Sequence, residues 1–284
     1  MVGETELIKT PVQPISFRRR RSIAFAVTIA AVAIVYFAAD YERNRLGEPD
    51  FVTGFTVFGG IAALMSLGVR RRLMFLPLGS VSMWTQIHIY TGVFTTIVYL
   101  MHVPALIGGG MFEAFLSVIF CMVSASGFYG LYISRTLPKR LTNVGKEHRF
   151  DRMPWTRNEL AKIAEQTFQQ IKEPTAKEVI ESFYRTTLVP FFGGKPSLAY
   201  VLVPTGNRRR QLIGDLGNLH RYLEQEGRSV AGKFAALVRQ RDDLDYQFAL
   251  QLRLRVWIVF HAILSFLLLL CSFIHLFIVI HFAW

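Results

Sequence analysis

Four histidines in two apolar stretches of the chain share one spacing. His88 and His102 are 14 residues apart, and so are His261 and His275. In an α-helix, 14 residues return to within about 40° of the starting direction and advance about 21 Å along the axis. An ionisable side chain at membrane depth is costly and indicates a functional site by default. The spacing therefore predicts two helices that each present two imidazoles on one face.

Facing helices with this pattern would pair their histidines at two depths. Because both helices start from the same side of the membrane, we expect His88 opposite His261 near the inner leaflet and His102 opposite His275 near the outer one. A haem iron takes two axial imidazoles, and ligation relieves much of the cost of burying them. The four histidines are thus predicted to hold two haem b groups, one at each depth.

Other uses of membrane histidines fit this pattern less well. A lone histidine is most simply hydrogen-bonded to a neighbouring helix, but here one spacing occurs twice. A proton relay would usually bring Asp or Glu into the spans, and a zinc or copper transporter would cluster its ligands at one depth. His281 is predicted to lie at the outer interface, and His148 and His220 fall among charged residues without an assigned role.

Composition indicates a membrane protein. Of the 284 residues, 52% are hydrophobic and 24 are Phe. A run of about 20 apolar residues is long enough to cross the hydrocarbon layer of a bilayer. The sequence predicts an all-α integral membrane protein with a five-helix transmembrane bundle, whose spans lie at about 22–40, 51–69, 83–107, 111–134 and 255–282. Only two cysteines occur, without CxxC spacing, which argues against a c-type haem, an iron–sulfur cluster or a zinc site.

Basic residues predict the orientation of these spans. Arg18–Arg21, Arg70–Arg72 and the basic group beginning at Arg135 are separated from one another by even numbers of spans, so they share a side. Lys and Arg collect on the cytoplasmic side. The opposite loops are rich in acidic residues: Asp40, Glu42, Glu48, Asp50 and Glu113. We expect an inner-membrane protein with a cytoplasmic N-terminus and a periplasmic C-terminus; its net charge of +12 then reflects topology and not nucleic-acid binding.

Four regions follow from this pattern: a basic cytoplasmic N-terminus at 1–21, four transmembrane helices within 22–134, a cytoplasmic domain at 135–254 and the fifth helix at 255–284. From Arg135 to Arg255 the chain has 22 Lys and Arg against 13 Asp and Glu. Helical periodicity at 158–171 and from Leu216 onward, with a hairpin-like pattern at 196–204, predicts a small α+β domain inserted between helices 4 and 5. Its densest basic cluster, Arg208–Arg210, is expected to contact lipid or a partner.

Small residues mark two places near the predicted inner pair. Gly92 lies one turn after His88, and a slim face on the fourth span is formed by Ser124, Ala125, Ser126, Gly127 and Gly130. Small side chains allow either a flat porphyrin or a neighbouring helix to approach the backbone. The sequence leaves both alternatives open.

The four-histidine pattern resembles that of membrane di-haem b-type cytochromes. Two helices with paired histidines about 14 residues apart are similar to respiratory cytochrome b, and ligands on the third and fifth helices resemble the transmembrane domain of ferric reductases and NADPH oxidases. The resemblance implies that His88 and His261 bind the inner haem iron and His102 and His275 the outer. The long segment between helices 4 and 5 and the absence of a PEWY-like quinol-site motif depart from these families.

These observations predict a di-haem subunit that carries electrons across the membrane between a quinone or quinol pool and a redox partner, within a larger respiratory-type complex. A quinone pocket and partners such as a multihaem cytochrome c are expected. One alternative is a conduit supplied by a cytoplasmic flavoprotein or iron–sulfur protein docked on 135–254. An alternative of another class is a haem-free transporter or scaffold subunit. No catalytic residue is predicted.

Overall fold

The protein divides into two compact units in the computed structural model, which describes residues 17–72, 80–142 and 149–282. The first unit combines Met1–Phe128 with His261–Trp284, and the second is Tyr129–Phe260. Most of the predicted N-terminal region 1–21 and His148 lie outside the described residues. The predicted domain at 135–254 falls inside the second unit.

Long helices make up the first unit. They are α1 (Phe17–Asn44), α2 (Pro49–Arg72), α3 (Val81–His102), the first part of α4 (Met111–Thr142) and the last part of α10 (Gln225–Phe282). Among the described residues, α1, α2, α4 and α10 contain stretches long and apolar enough to cross a membrane. Four helices of the described chain could therefore cross a membrane, and the predicted third span, α3, is not among them.

Prolines act differently on two of these helices. The helix α3 ends at His102, five residues earlier than predicted, because Pro104 has no amide hydrogen and disfavours helical backbone at the residue before it. By contrast, α4 continues past Pro138, near which it was expected to end. Ile133 and Leu137, before the proline, are buried with Leu250, and Leu141, after it, packs against the same cluster, so packing on both sides of the proline favours a continuous helix.

An apolar cluster joins four helices of the first unit. Its buried members come in pairs from α2, α3, α4 and α10: Val57, Ile61, Val98, Tyr99, Ile119, Phe120, Leu268 and Cys271. Close approach of α2 and α3 depends on Gly60, since a Cβ there would collide with Thr95. This packing fixes α3 and α10, the two helices that carry the paired histidines.

The second unit is helical too, and the α+β prediction is wrong. It contains α5 (Met153–Gln169), α6 (Pro174–Phe183), α7 (Val189–Gly193), α8 (Leu198–Leu202), α9 (Asn207–Leu219) and the first part of α10, and none of its described residues forms a strand. The hairpin-like stretch 196–204 folds as α8 because Ser197 caps the helix by accepting the amide hydrogen of Tyr200. Prolines 196 and 204 also leave too short a run for two paired strands.

Buried charges organise the second unit around α10. Arg157 of α5 donates to Asp245 Oδ1 at 2.9 Å, and Arg241 forms a second ion pair with the same carboxylate. Arg241 is 1% exposed and also donates to the Gly194 carbonyl oxygen at 2.6 Å. Tyr200 of α8 donates to Asp242 Oδ1 at 3.0 Å. The helix that continues into the first unit is thus the element to which α5 and α8 are attached.

Candidate functional site

The four predicted histidines all lie in the first unit, on α3 and on the last part of α10. All four are half-buried. His102 interacts electrostatically with His275, and His261 with His88. Each histidine of α3 therefore lies within range of electrostatic interaction with one histidine of α10, in the combinations that the 14-residue spacing predicts.

The pair formed by His102 and His275 lies where three helix ends meet. His102 is the last residue of α3, and its ring Nδ1 lies 3.0 Å from Thr53 Oγ1 in the first turns of α2. Phe112, at the start of α4, packs beside His275 with ring centroids 6.4 Å apart and the planes tilted by 34°. Helices α2, α3, α4 and α10 thus all contribute to the surroundings of this pair.

The contact with Thr53 is compatible with a metal-binding tautomer of His102. The Thr53 hydroxyl also lies 3.3 and 3.2 Å from the backbone oxygens of Pro49 and Asp50, which can take its hydrogen. In that arrangement the hydroxyl oxygen accepts from His102, Nδ1 carries the ring hydrogen and Nε2 keeps its lone pair. Metal-binding histidines are commonly held in this way, with the other ring nitrogen donating to a fixed acceptor.

Gly54 makes room for the same imidazole. A Cβ atom built on Gly54 would lie 3.0 Å from His102 Cε1, which is closer than side chains normally approach. The neighbouring glycine of α2, Gly59, has no atom within 4 Å of such a Cβ. A side chain would therefore crowd the His102 ring at Gly54 but would meet nothing at Gly59.

The pair formed by His88 and His261 lies against the small-residue face of α4. His261 Nδ1 is 3.2 Å from Ser126 Oγ, and a Cβ on Gly127 would lie 3.7 Å from His261 Cε1, which is an ordinary contact distance. Ser265 donates to the backbone oxygen of His261 at 2.7 Å and closes one helical turn there. Of the small residues noted in the sequence, Ser126 and Gly127 are the ones next to a paired histidine.

Apolar side chains fill the interval between the two pairs. Val98 and Tyr99 lie between the histidines of α3, and Leu268 and Cys271 lie between those of α10; all four are buried. Tyr99 stacks on Phe120 with ring centroids 3.9 Å apart and donates its hydroxyl hydrogen to the Leu106 oxygen at 2.7 Å. The cluster excludes water from the space between the pairs.

The remaining histidines are not part of this arrangement. His281 is exposed and stacks on Phe277, with centroids 6.1 Å apart, and His220 is exposed in the second unit. Gly92 faces Leu64 and not a histidine: its Cβ would lie 3.9 Å from Leu64 Cδ2. Gly130 accommodates the Trp257 ring and is therefore a packing residue.

The residues of both pairs fit the axial ligation of haem iron. Each pair supplies two imidazoles from different helices, and a hydroxyl on a third helix holds one ring of each pair through Nδ1. With the hydrogen on Nδ1, a neutral His102 ring offers Nε2 as the ligand atom. The fit rests on donor chemistry.

Sequence reasoning missed Thr53, Gly54 and Phe112. The first two belong to α2, a helix that carries no histidine, and their contact with His102 arises only from the packing of α2 on α3. A glycine or threonine in a membrane helix usually serves packing or bonds to its own backbone, so neither residue type signals a role.

Comparison with known proteins gives no relative for this chain: no protein-family model matches it, and no significant match was found among curated proteins or solved structures.

Proposed function

We propose that this protein is a membrane-spanning di-haem cytochrome b subunit that carries electrons from one side of a membrane to the other. The observation that carries the proposal is the pairwise proximity of His88 to His261 and of His102 to His275. Haem b at each pair would supply one-electron redox chemistry. Two sites about 21 Å apart along the helix axes would divide the width of the bilayer between them.

The chain's own residues would bind, orient and shield these sites. The imidazoles provide the axial ligands, Thr53 and Ser126 hold two of them through Nδ1, and Gly54 leaves space for the His102 ring. The buried apolar cluster between the pairs keeps water out. A dry environment disfavours net charge at the sites and so influences their reduction potentials.

A fifth span completes the proposed bundle. With 22 residues, α3 extends about 33 Å, which is enough to cross the hydrocarbon layer. Its polar residues are those that the site requires, above all His88 and His102. In the proposed topology the N-terminus and the second unit are cytoplasmic and the C-terminus is periplasmic, as the distribution of arginines supports. His88 and His261 then form the inner site, and His102 and His275 the outer.

The proposed circuit joins a quinone or quinol pool to a redox protein on the periplasmic side, such as a multihaem cytochrome c, inside a larger complex. The chain has an excess of basic residues in its second unit, which suits attachment to acidic partner subunits. An electron conduit without further catalytic groups needs a donor and an acceptor, and a quinol analogue and ferricyanide can take these places in a test of the purified chain.

Electron transfer in vesicles tests this function. The purified chain is reconstituted into liposomes with trapped ferricyanide, and a water-soluble quinol analogue is added outside while the b-type α-band is followed. We expect reduction of the trapped ferricyanide at a rate that falls to background in the double variant His88→Ala/His102→Ala. The variant His281→Ala is the matched control, because that histidine is exposed and unpaired with α3. Equal rates in protein-free vesicles and in vesicles with the parent chain would contradict the proposal.

A further inference from the structure

An exposed apolar surface in the second unit lies beside the point where α10 loses its charges. Leu198 and Leu202 are 83% and 72% exposed, and Val203, just after α8, is 66% exposed. Leu198 and Leu202 are four residues apart and share one face of α8. Helices that face water rarely present such an apolar face. The position of this face along α10 therefore indicates whether it lies in water or at the lipid boundary.

The opposite side of α8 is held by α10. Tyr200 donates to Asp242 Oδ1 at 3.0 Å, and Arg253 Nη2 donates to the Val201 carbonyl oxygen at 3.1 Å and to that of Leu202. Through Arg253, the C-terminal end of α8 is fixed at one level of α10. The exposed leucines are thus the free face of a helix whose other face is bonded.

Arg253 lies at the end of the charged part of α10. After Arg255 no Asp, Glu, Lys or Arg occurs through Phe282, and Val256, Val259 and Phe260 are already exposed on the helix surface. A run of this length and composition crosses a bilayer, so the water–lipid boundary falls near Arg253 and Arg255. The free face of α8 is therefore fixed near the depth at which lipid begins.

A second segment is fixed at the same level by the neighbouring arginine. The Arg255 guanidinium lies 4.2 Å from the centre of the Phe150 ring and 3.8 Å from Asp151 Oδ1. Shortly after these residues, α5 presents Trp155 with 64% of its surface exposed. Two residues along a helix differ in direction by about 200°, so the two arginines reach opposite sides of α10. Tryptophan is enriched where membranes meet water.

The charge around α8 indicates which surface it would meet. From residue 182 to residue 214 the sequence contains no Asp or Glu, whereas Lys195, Arg208 and Arg210 are basic and exposed. Each Lys or Arg close to an anionic leaflet is attracted to it electrostatically. Arg209, by contrast, pairs with Asp243 at 2.8 Å. Within the cluster Arg208–Arg210, contact with a membrane surface is therefore expected mainly from Arg208 and Arg210.

We propose that the free face of α8, with Val203, is an in-plane membrane anchor that inserts into an anionic leaflet, and that Trp155 contacts the same leaflet on the other side of α10. The leucines supply apolar contact with the acyl-chain boundary, and Lys195, Arg208 and Arg210 contact lipid phosphates. The proposal depends on α10 crossing the membrane and is independent of haem.

Nitroxide labels measure the depth of α8. Single cysteines replace Leu198, Leu202 or, as control, Ala236, in the full chain with Cys121→Ala and Cys271→Ala. Ala236 is an exposed residue of the same α10, 17 residues and about 26 Å before Arg253. Each label is exposed to oxygen, which concentrates in lipid, or to a water-soluble nickel chelate, in vesicles of phosphatidylcholine with phosphatidylglycerol.

We expect the labels at 198 and 202 to collide with oxygen more than with nickel, and the label at 236 to show the reverse. Nickel accessibility at 202 equal to that at 236 would overturn the proposal. So would protection from both reagents, because that outcome indicates coverage by protein, such as a second copy of the chain.

Trp155 gives a second measurement without new cysteines. Fluorescence quenching by brominated phosphatidylcholine is compared between the parent chain and Trp155→Phe, both fully reconstituted. The parent should lose more emission to bromine than the variant, since Trp155 would be within reach of the bromine atoms. Identical quenchable fractions would show that Trp155 does not contact lipid and would overturn that part of the proposal, whatever the fate of the labelled variants.

Discussion

The two units of this protein stabilise buried polar groups in different ways. In the first unit, the buried polar side chains among the described residues are short hydroxyls: Thr28, Thr53, Thr95, Ser117 and Ser272. Thr28 and Thr95 donate to the carbonyl oxygen four residues earlier, at 2.9 and 2.8 Å, so that each helix satisfies its own polar atoms. This arrangement suits helices in lipid, where every polar group needs a partner inside the protein.

The second unit instead buries full charges and pairs them. Arg157 and Arg241 converge on Asp245, and Gln247, two residues further along α10, is also buried. Ionised groups buried in this way require partners of opposite charge. The half-buried histidines of the first unit follow neither pattern, because their neighbours are hydroxyls and other histidines. Among the described residues this difference singles out the four histidines, and it is the reason for proposing that they bind a metal.

Removing single histidines should produce the largest effect. We expect His88→Ala and His261→Ala each to lose the same one of two haems, because both remove a ligand of one pair. The haem that remains should therefore have the same spectrum in the two variants. His102→Ala and His275→Ala should leave the other haem. Pyridine haemochrome assays of purified variants measure the content. Four variants with four unrelated residual spectra, or loss of haem in His281→Ala, would break the distinction between paired and unpaired histidines.

Neutralising Asp245 should affect the second unit and spare the first. Asp245→Asn leaves Arg157 and Arg241 buried without a counter-charge, which costs about 3–5 kcal/mol of stability. Thermal unfolding followed by circular dichroism, together with haem content, separates the two units. Asp243→Asn is the matched control on the same helix, since its pair with Arg209 is more than a third exposed and contributes about 1 kcal/mol or less. Equal destabilisation by both variants would contradict the assigned role of the buried network.

Changes beside His102 should weaken the outer site alone. Thr53→Val removes the hydroxyl that contacts His102 Nδ1 and is expected to lower haem affinity at that site about 10- to 100-fold. Gly54→Ala should act in the same direction by displacing the imidazole, whereas Gly59→Ala on the same helix should be neutral. Haem retention during dialysis against apomyoglobin measures the affinity. If Gly54→Ala and Gly59→Ala behaved alike, the space at Gly54 would have no bearing on the site.

The smallest expected effect concerns Asp242. Burial raises the pKa of this carboxyl, although the hydrogen bond from Tyr200 and the charge of Arg209 lower it. A folded-state pKa above that of the unfolded chain means that the folded unit binds the proton more tightly. Stability should therefore decrease as pH rises from about 4 through the folded-state pKa, and Asp242→Asn should flatten this dependence. Melting temperatures between pH 4 and 7 test it, and an equally steep slope in the variant would be the contrary result.

The sequence predicted the parts of this structure that depend on local pattern. The four longest helices and the continuation of α10 from the polar segment through residue 282 follow from apolar runs and helical periodicity. The histidine pairing follows from one repeated spacing. The site residues on α2 could not be predicted from the sequence, because the approach of Thr53 and Gly54 to His102 depends on how α2 packs on α3.

Short segments misled the sequence reading for physical reasons. The stretch 196–204 combines valines with prolines and was expected to form a hairpin, yet capping by Ser197 and bonds to α10 make it a helix. Arg209 was expected to meet lipid or a partner but pairs with Asp243, which is 34 residues away in sequence. In both cases a tertiary contact outweighed the local pattern.

Haem stoichiometry of the intact purified chain tests the central claim most directly. A pyridine haemochrome assay with quantitative amino-acid analysis gives moles of protohaem per mole of chain, and a reduced-minus-oxidised spectrum gives the ligation class. The account predicts two haems per chain with a b-type α-band, because the first unit contains two histidine pairs. A chain that is fully folded by circular dichroism and contains no haem, or only one, would contradict it.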